Sequence, residues 1–197
     1  GGEGGERHPR STPRAVERLR DELNQRAQQE QLEHLERVRA QQSLILHLAR
    51  QRYSANNALQ EAAQLITRHA CEIYDIASAS MWNLNDQRLD PIAEYCRESN
   101  EHRLPLPIDA SLYPSYLEAL HNSRAIDAHD VQLDPLTREM ASSLKPRDIS
   151  AILDASIRID GQVVGVLCLE QTGTPRPWQS DEIAFAGELA DQYAQVI

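Results

Sequence analysis

The chain has 197 residues, a length that suits one domain of about 150 residues with an appendage rather than two full domains. Its 30 acidic residues outnumber its 20 basic ones, and the resulting formal charge of -10 falls mostly after residue 50. This balance argues against nucleic acid and against an anionic membrane surface as main partners, because both require an excess of cations.

The amino-terminal residues 1–13 are rich in Gly, Pro and charged side chains, so this segment is predicted to be disordered. It contains no apolar stretch typical of a signal peptide, and no later run approaches the roughly 20 apolar residues of a membrane span. The three cysteines, Cys71, Cys96 and Cys168, lack the spacing of a zinc site or a disulfide scaffold. We therefore predict reduced, buried thiols and a cytoplasmic location.

Residues 14–52 contain no Gly or Pro and are rich in good helix formers, which predicts one long helix. The predicted dimerisation seam consists of Leu19, Leu23, Leu35, Val38, Ile45 and Ala49. Its register slips in the middle, so the coiled coil is imperfect. A helix of this length would extend close to 60 Å, beyond a small domain, which favours a homodimer. The alternative is a solvated helix that packs on its own domain.

From residue 54 the pattern predicts an α+β domain that runs to residue 197. Ser54 is a candidate N-cap for a second helix with apolar residues at helical spacing as far as Ile73. Two short strands, Ala79–Leu84 and Leu89–Cys96, are predicted to form a hairpin. The middle of the domain contains several prolines among short helical patterns at 113–122 and 135–143.

The clearest strand pattern comes later, where 151–159 and 162–171 flank the dipeptide Asp160-Gly161. This dipeptide favours a type I′ hairpin turn. After a Pro-containing loop, Ser180 is the predicted N-cap of a last helix, which has no Gly or Pro terminator before Ile197. We therefore expect this helix to continue through Ile197 and the sequence to be part of a longer protein.

This order of elements resembles the GAF domain family. The segment "IDGQVVGVLCLEQTGTPRPWQSDEIAFAGELADQYA" resembles the closing hairpin and last helix of bacterial signalling members, and "ASMWNL", "PIAEY" and "DPLTREM" match elsewhere. The resemblance implies a GAF-like antiparallel sheet flanked by helices, with a small-molecule pocket under the irregular middle. It also implies a non-catalytic sensory input domain ahead of an output domain in the same chain, a diguanylate cyclase first and a histidine kinase second.

A different class of function stays open, namely a structural dimerisation module whose pocket is vestigial or filled by its own side chains.

Within the family resemblance, the sequence argues against two ligand classes, cyclic nucleotides and covalently bound bilins. Glu170-Gln171 stands where cyclic-nucleotide-binding members have Asn-Lys, although the Asp181-Glu182 pair is present. Bilin-binding members use a Cys in the irregular middle, and this chain has none between Cys96 and Cys168. No cofactor is named by the sequence.

The candidate pocket residues are aromatic side chains with polar tips, two loop carboxylates and one thiol. They are Trp82, Tyr95, Tyr113, Tyr116, Asp130, Asp134 and Cys168. Alternation along its strand puts Cys168 on the face opposite Leu167 and Leu169. His121 and His129 together with the two carboxylates could be read as metal ligands, but turn and cap positions explain the carboxylates better. No phosphate loop or nucleophile elbow is present, so no catalytic residue is predicted.

Overall fold

The structure is a computed structural model that describes residues 12–197. The prediction of disorder concerns residues 1–13, and residues 1–11 of that range lie outside the described part. The helices are α1 Pro13–Ala49, α2 Ala58–Tyr74, α3 Pro114–Asn122, α4 Ala141–Leu144 and α5 Ser180–Ala194. The strands are β1 Ser78–Asn85, β2 Arg88–Cys96, β3 Glu101–Arg103, β4 Ile108–Asp109, β5 Ala125–Ala128, β6 Ile149–Ile159 and β7 Gln162–Thr172.

The predicted long helix is present as α1. Pro13 occupies its first turn, where a missing N–H costs nothing, and Thr12 Oγ1 accepts a hydrogen bond from the Ala15 N–H at 3.3 Å. The helix ends at Ala49, three residues earlier than predicted. Gln51 N donates to the Leu48 carbonyl at 3.1 Å, and this tighter bond closes the last turn.

The described residues divide into two compact units, with the boundary between residues 40 and 41. The last turns of α1 therefore belong to the second unit, where Leu44 and Leu48 are buried and Gln41 Nε2 donates to Asp181 Oδ2 at 2.9 Å. In the first unit five large apolar residues of α1 are exposed, namely Val16, Leu19, Leu23, Leu32 and Leu35, while Val38 is half-buried. The compact domain thus begins within α1, earlier than the predicted residue 54.

Seven strands form one antiparallel sheet within residues 12–197, in the order β3-β2-β1-β7-β6-β5, with β4 paired to β2. Both predicted hairpins are confirmed, β1 with β2 and β6 with β7. Asp160 and Gly161 have φ values of 51° and 78°, as a type I′ turn requires. The fold class predicted from the sequence, an antiparallel sheet flanked by helices with a long amino-terminal helix, is confirmed.

Strand alternation divides the buried residues between the two faces of the sheet. The helix-side core lies between the sheet and α2, α5 and the end of α1, and includes Leu48, Ile66, Tyr74, Met81, Leu153, Leu167, Leu169, Phe185, Leu189 and Tyr193. The cavity-side core lies on the opposite face, under α3 and the middle segment, and includes Trp82, Leu89, Tyr116, Leu120, Ile126, Ile152 and Val166. Side chains of β6 and β7 therefore reach both cores.

The predicted helix caps are shifted in the structure. Ser54 is not the N-cap of α2: its backbone N and its hydroxyl donate to the Glu61 carboxylate at 3.0 and 2.6 Å, and α2 begins at Ala58. Ser180 is already helical, and Gln179 occupies the cap position with its N–H donating to Glu182 Oε1 at 3.0 Å. The residues in the cap positions are Asn57 for α2 and Gln179 for α5, because helix ends are set by local contacts that a sequence pattern does not resolve to the residue.

The last helix ends at Ala194 rather than continuing through Ile197. The N–H groups of Val196 and Ile197 donate to carbonyls three residues back, at 3.0 and 3.2 Å. Bonds of this spacing tighten and end an α-helix without a Gly or Pro.

The loop between β7 and α5 is fixed to the domain by Arg176 and Trp178. Arg176 donates to the Tyr74 carbonyl at 2.6 Å and to Glu182 Oε2 at 2.5 Å, and its guanidinium lies 4.6 Å from the centre of the Trp178 ring. Trp178 Nε1 donates to the Ala128 carbonyl at 3.2 Å. Glu182 is thereby held in the helix-side core, away from the other face of the sheet.

The middle segment, residues 97–148, contains three short strands that the sequence pattern did not predict. The helical pattern at 113–122 corresponds to α3, while that at 135–143 gives only α4 between single 3₁₀ turns at Arg138–Met140 and Lys145–Arg147. Two- to four-residue strands carry too few residues for an alternation pattern. Among residues 12–197, no helix combines the length and apolar character that a membrane span requires.

Candidate functional site

A cavity of about 480 Å³ lies between the cavity-side face of the sheet and the middle segment. Strands β1, β2, β6 and β7 form its floor, and residues 103–116 and 140–147 cover it. Its apolar and aromatic lining residues are Trp82, Leu89, Pro105, Leu106, Ile108, Ala110, Tyr113, Tyr116, Met140, Leu144 and Ile152. Its polar lining residues are Glu94, Arg103, Ser143, Arg147, Asp154, Cys168 and Glu170.

Three aromatic side chains shape the walls. Trp82 comes from β1, and its indole N–H donates to Ser80 Oγ at 2.8 Å, which fixes the ring on the cavity side. The Tyr113 hydroxyl lies 3.0 Å from Ser143 Oγ, so the two parts of the covering segment contact each other above the floor. Tyr116 is buried in the first turn of α3. Large rings with polar tips are typical of small-molecule pockets.

The floor contains a buried carboxyl group, Asp154 on β6, whose cross-strand partner on β7 is Cys168. Asp154 is 4% exposed, and the Tyr116 hydroxyl donates to its Oδ2. Its other oxygen, Oδ1, has no hydrogen-bond partner in the part of the chain that the structure describes. Burial raises the pKa of Asp154 to about 7, although the hydrogen bond from Tyr116 opposes that rise.

An ion-pair cluster of Glu94, Arg103, Arg147 and Glu170 forms part of the cavity lining. Arg103 Nε donates to Glu94 Oε2 at 2.8 Å, and Arg147 donates to the Glu170 carboxylate at 3.2 and 3.4 Å. Arg147 also lies 3.6 Å from Glu94 Oε1. Burial raises the pKa of Glu170, and the charge of Arg147 acts against that rise. Both guanidinium groups are therefore engaged by carboxylates of the protein.

Four of the seven predicted pocket residues line the cavity, namely Trp82, Tyr113, Tyr116 and Cys168. Cys168 lies on the face opposite Leu167 and Leu169, as alternation indicated. Burial raises the pKa of the Cys168 thiol, which keeps the group protonated and makes it a poor nucleophile. This environment favours a packed thiol over a redox centre.

Tyr95 does not line the cavity but lies in the helix-side core, with its hydroxyl bonded to the Asn100 side chain. A β-bulge in the β1–β2 pairing between Met81 and Trp82 changes which residues of β2 face the cavity. As a result Glu94, and not its neighbour Tyr95, faces the cavity. An aromatic residue such as Tyr95 can occupy either a pocket wall or a protein core, so its residue type did not distinguish the two positions.

Asp130 and Asp134 also lie away from the cavity lining. Asp130 Oδ1 accepts from the Gln132 N–H at 3.0 Å, and Asp134 Oδ1 accepts from the Leu136 N–H at 2.9 Å. Both carboxylates thus close local turns, the role that their type and position commonly have. His129 Nε2 lies 3.3 Å from Asp127 Oδ2, and residues 12–197 contain no group of three or more side chains arranged to hold a metal ion.

The sequence analysis did not predict the five charged residues that line the cavity, nor Ser143. The charged residues are Glu94, Arg103, Arg147, Asp154 and Glu170. A signal for Asp154 did exist, because it is a single acidic residue within the apolar run Ala151–Ile157 and directly faces the candidate Cys168. Arg103 and Arg147 belong to segments without clear periodicity. Their meeting depends on tertiary folding of the middle segment.

Comparison with known proteins identifies the family. A family model described as GAF domain matches residues 58–197. A protein of Synechocystis sp., provisionally named a methyl-accepting chemotaxis protein, is 32% identical over 84 residues, which are 43% of this chain and 8% of that protein. The chain therefore corresponds to a small part of this relative.

Solved structures show the same fold. The GAF domain of PixJ from Thermosynechococcus elongatus, in its blue-light absorbing form, gives a TM-score of 0.61 at 24% identity, over 70% of this chain and 83% of that one. The GAF domain of an Acinetobacter phosphoenolpyruvate-protein phosphotransferase gives a TM-score of 0.61 at 12% identity, over 81% and 91%. Because the family match extends over more than half of the chain and the architecture agrees with it, the chain belongs to the GAF domain family.

Proposed function

We propose that this chain is a non-catalytic regulatory input module that binds a small organic molecule in the cavity. The observation that carries the proposal is the cavity itself, which has the volume of a small-molecule site, apolar walls and a few polar groups on its floor. The names of two similar proteins, which refer to blue-light absorption and to chemotaxis, support a sensory role. A covalently attached bilin is not proposed, because residues 97–167 contain no Cys.

The strands of the floor provide a route by which a ligand would act on the helices. Asp154 and Cys168 face the cavity, whereas Leu153 and Leu169 on the same strands pack in the helix-side core. That core contacts α5, whose first turn is hydrogen-bonded to Gln41 of α1. A differential of about 1–3 kcal/mol between two helix arrangements would suffice for regulation.

The proposed target of this regulation is an output domain in the same protein, a diguanylate cyclase first and a histidine kinase second. Family resemblance supports that order. The module is proposed to work in the cytoplasm, where its three free cysteines would stay reduced.

The test of ligand binding uses a variant that fills the cavity from its mouth. Ser143 lines the cavity and is exposed, so Ser143→Trp would place a large ring in the cavity without disturbing the core. The matched control is Ser142→Trp, an exposed neighbour that does not line the cavity. In a thermal-shift screen with a metabolite library, at least one compound should raise the Tm of the parent protein and of Ser142→Trp but not of Ser143→Trp.

If no compound raises the Tm of the parent protein, or if Ser143→Trp responds equally, the binding proposal is wrong. The alternative hypothesis, a structural dimerisation module, would then be favoured.

We also propose that the exposed apolar residues of α1 mediate a homodimer. Leu19 and Leu23 are 62% and 57% exposed and lie one helical turn apart, although Leu normally lies inside. The seam residues differ in their surroundings: Leu35 is exposed and Val38 half-buried, while Ile45 packs against the helix-side core and Ala49 is exposed. The dimer contact is therefore proposed for the part of α1 before residue 41.

Light scattering on two double variants tests this proposal. Leu19→Glu with Leu23→Glu should convert a dimer to a monomer, because carboxylates in an apolar seam lose its burial energy and repel their counterparts. Gln25→Glu with Gln29→Glu adds the same charge, also one helical turn apart, on the face of α1 that carries none of the seam residues, and should leave the dimer intact. A parent protein that is already monomeric, or equal behaviour of the two variants, would rule out this contact.

A further inference from the structure

The floor of the cavity contains a buried carboxyl oxygen, Oδ1 of Asp154, that has no hydrogen-bond partner among residues 12–197. Asp154 lies in a strand whose other buried residues are mostly apolar, and it lines the cavity. The Tyr116 hydroxyl occupies Oδ2 and leaves Oδ1 without a partner. Burying a carboxyl oxygen without a hydrogen-bond partner destabilises the folded protein. A ligand that donates a hydrogen bond to this group relieves that cost, so the bond contributes more binding free energy than it would in water.

The charges that line the cavity favour a positively charged ligand. Three carboxyl groups, those of Glu94, Asp154 and Glu170, face the cavity together with two guanidinium groups, those of Arg103 and Arg147. The guanidinium groups are paired with Glu94 and Glu170, and Asp154 forms no ion pair with a cationic side chain among the described residues 12–197. An anionic ligand would therefore meet an uncompensated carboxyl group and two arginines that are already engaged.

The walls define the rest of the ligand. Trp82, Tyr113 and Tyr116 present aromatic rings, and most other lining residues are aliphatic. Aromatic faces attract cations, and apolar walls favour a ligand whose body is apolar. A cavity of about 480 Å³ admits a compact molecule.

We propose that the cavity binds a compact, mainly apolar molecule with one basic nitrogen, whose N–H donates to the carboxyl group of Asp154. This inference rests on the proposed ligand-binding function and adds the chemical class of the ligand. Asp154 acts as the specificity-determining residue, and the aromatic walls hold the apolar body.

The test compares three probes that share one ring system and differ in one group: tryptamine, the corresponding alcohol tryptophol, and indole-3-propionate. Binding to the full chain is measured by calorimetry and by ligand-observed NMR. Tryptamine should bind about tenfold or more tightly than tryptophol, as expected for one charge-assisted hydrogen bond in a buried site, and indole-3-propionate most weakly.

The matched variants are Asp154→Asn, which keeps the shape and an acceptor for Tyr116 but removes the charge, and Asp21→Asn, an exposed change on α1. Asp154→Asn should lose the preference for tryptamine over tryptophol, while Asp21→Asn should keep it. Circular dichroism verifies that both variants are folded, and the affinity of tryptophol shows that the cavity is intact.

Equal binding of the alcohol and the amine, an unchanged preference in Asp154→Asn, or no binding of any probe at millimolar concentration would overturn the basic-nitrogen assignment. The wider ligand-binding proposal would survive each of these results if a library compound still raised the Tm of the parent protein but not of Ser143→Trp. The two proposals therefore fail separately.

Discussion

Among single residues, Asp154 is unusual because it is an acidic residue buried in a mostly apolar strand. It occupies a position where an apolar side chain would add to the cavity-side core, and it leaves one oxygen unpaired. Burial raises its pKa to about 7, so the folded protein holds a proton there at pH values where an unfolded chain would release it. Stability and ligand binding are thus linked through one group.

This linkage predicts a pH dependence of stability. Since the folded pKa lies above the unfolded value of about 3.9, the contribution of Asp154 to stability is full below pH 4 and is lost as pH rises towards 7. The loss is at most about 1.4 kcal/mol per pH unit in that window. Asp154→Asn does not titrate, so its free energy of unfolding should improve relative to the parent between pH 4 and pH 7.

The groups that face Asp154 are Tyr116 from α3 and Cys168 and Glu170 from β7, and burial raises the pKa of each of them as well. Urea denaturation at several pH values measures the effect, with Asp21→Asn as the control for loss of an exposed carboxylate. A constant difference between the parent and Asp154→Asn across this range would contradict the prediction.

At the scale of elements, the β6–β7 hairpin is the part of the fold that its local sequence determines most fully. Asp160 and Gly161 both have positive φ, and an added Cβ at Gly161 would meet no atom within 4 Å. A substitution there therefore tests the backbone conformation alone, without a steric clash.

We predict that Gly161→Ala lowers the free energy of unfolding by about 1 kcal/mol, the cost of a left-handed conformation for a residue with a Cβ. Gly161→Asn should cost less, because Asn tolerates positive φ through local hydrogen bonds. Chemical denaturation of both variants measures the difference. Equal stability of Gly161→Ala and the parent would mean that this turn is not fixed as described.

The edges of elements were harder to predict than their existence. Both hairpins and the long helix follow from composition and periodicity over eight or more residues. By contrast, the start of α2 depends on Glu61, whose carboxylate binds Ser54 seven residues before it. Caps of this kind depend on side chains that come together only when the loop has folded.

At the scale of the whole molecule, α1 is divided between the two compact units at residue 40. Leu44 and Leu48, which lie after this point, are buried in the helix-side core. A deletion of residues 1–40 should therefore leave the domain folded, whereas a deletion of residues 1–49 should remove part of its core.

We predict that the shorter deletion keeps a cooperative unfolding transition and that the longer one lowers stability by about 4 kcal/mol, since two buried leucines are lost. Within the shorter variant, Leu44→Ala should destabilise by about 2 kcal/mol or more, while Leu46→Ala, at a residue 57% exposed, should have little effect. Thermal and urea unfolding provide the comparison. Equal stability of the two deletions would show that the domain does not need residues 41–49.

Both hairpins, the long helix and the cavity side of Cys168 could be predicted from the sequence, because periodicity and turn chemistry act over a few neighbouring residues. The family and its antiparallel sheet were predicted from a resemblance in sequence motifs. Folding of the whole chain was needed to show that Glu94 rather than Tyr95 faces the cavity, that Asp154 lies at its floor, and that Arg103 and Arg147 contact carboxylates of other strands. A bulge changes which face a residue occupies, and charged groups pair through contacts between residues far apart in the sequence, so neither appears in a local pattern.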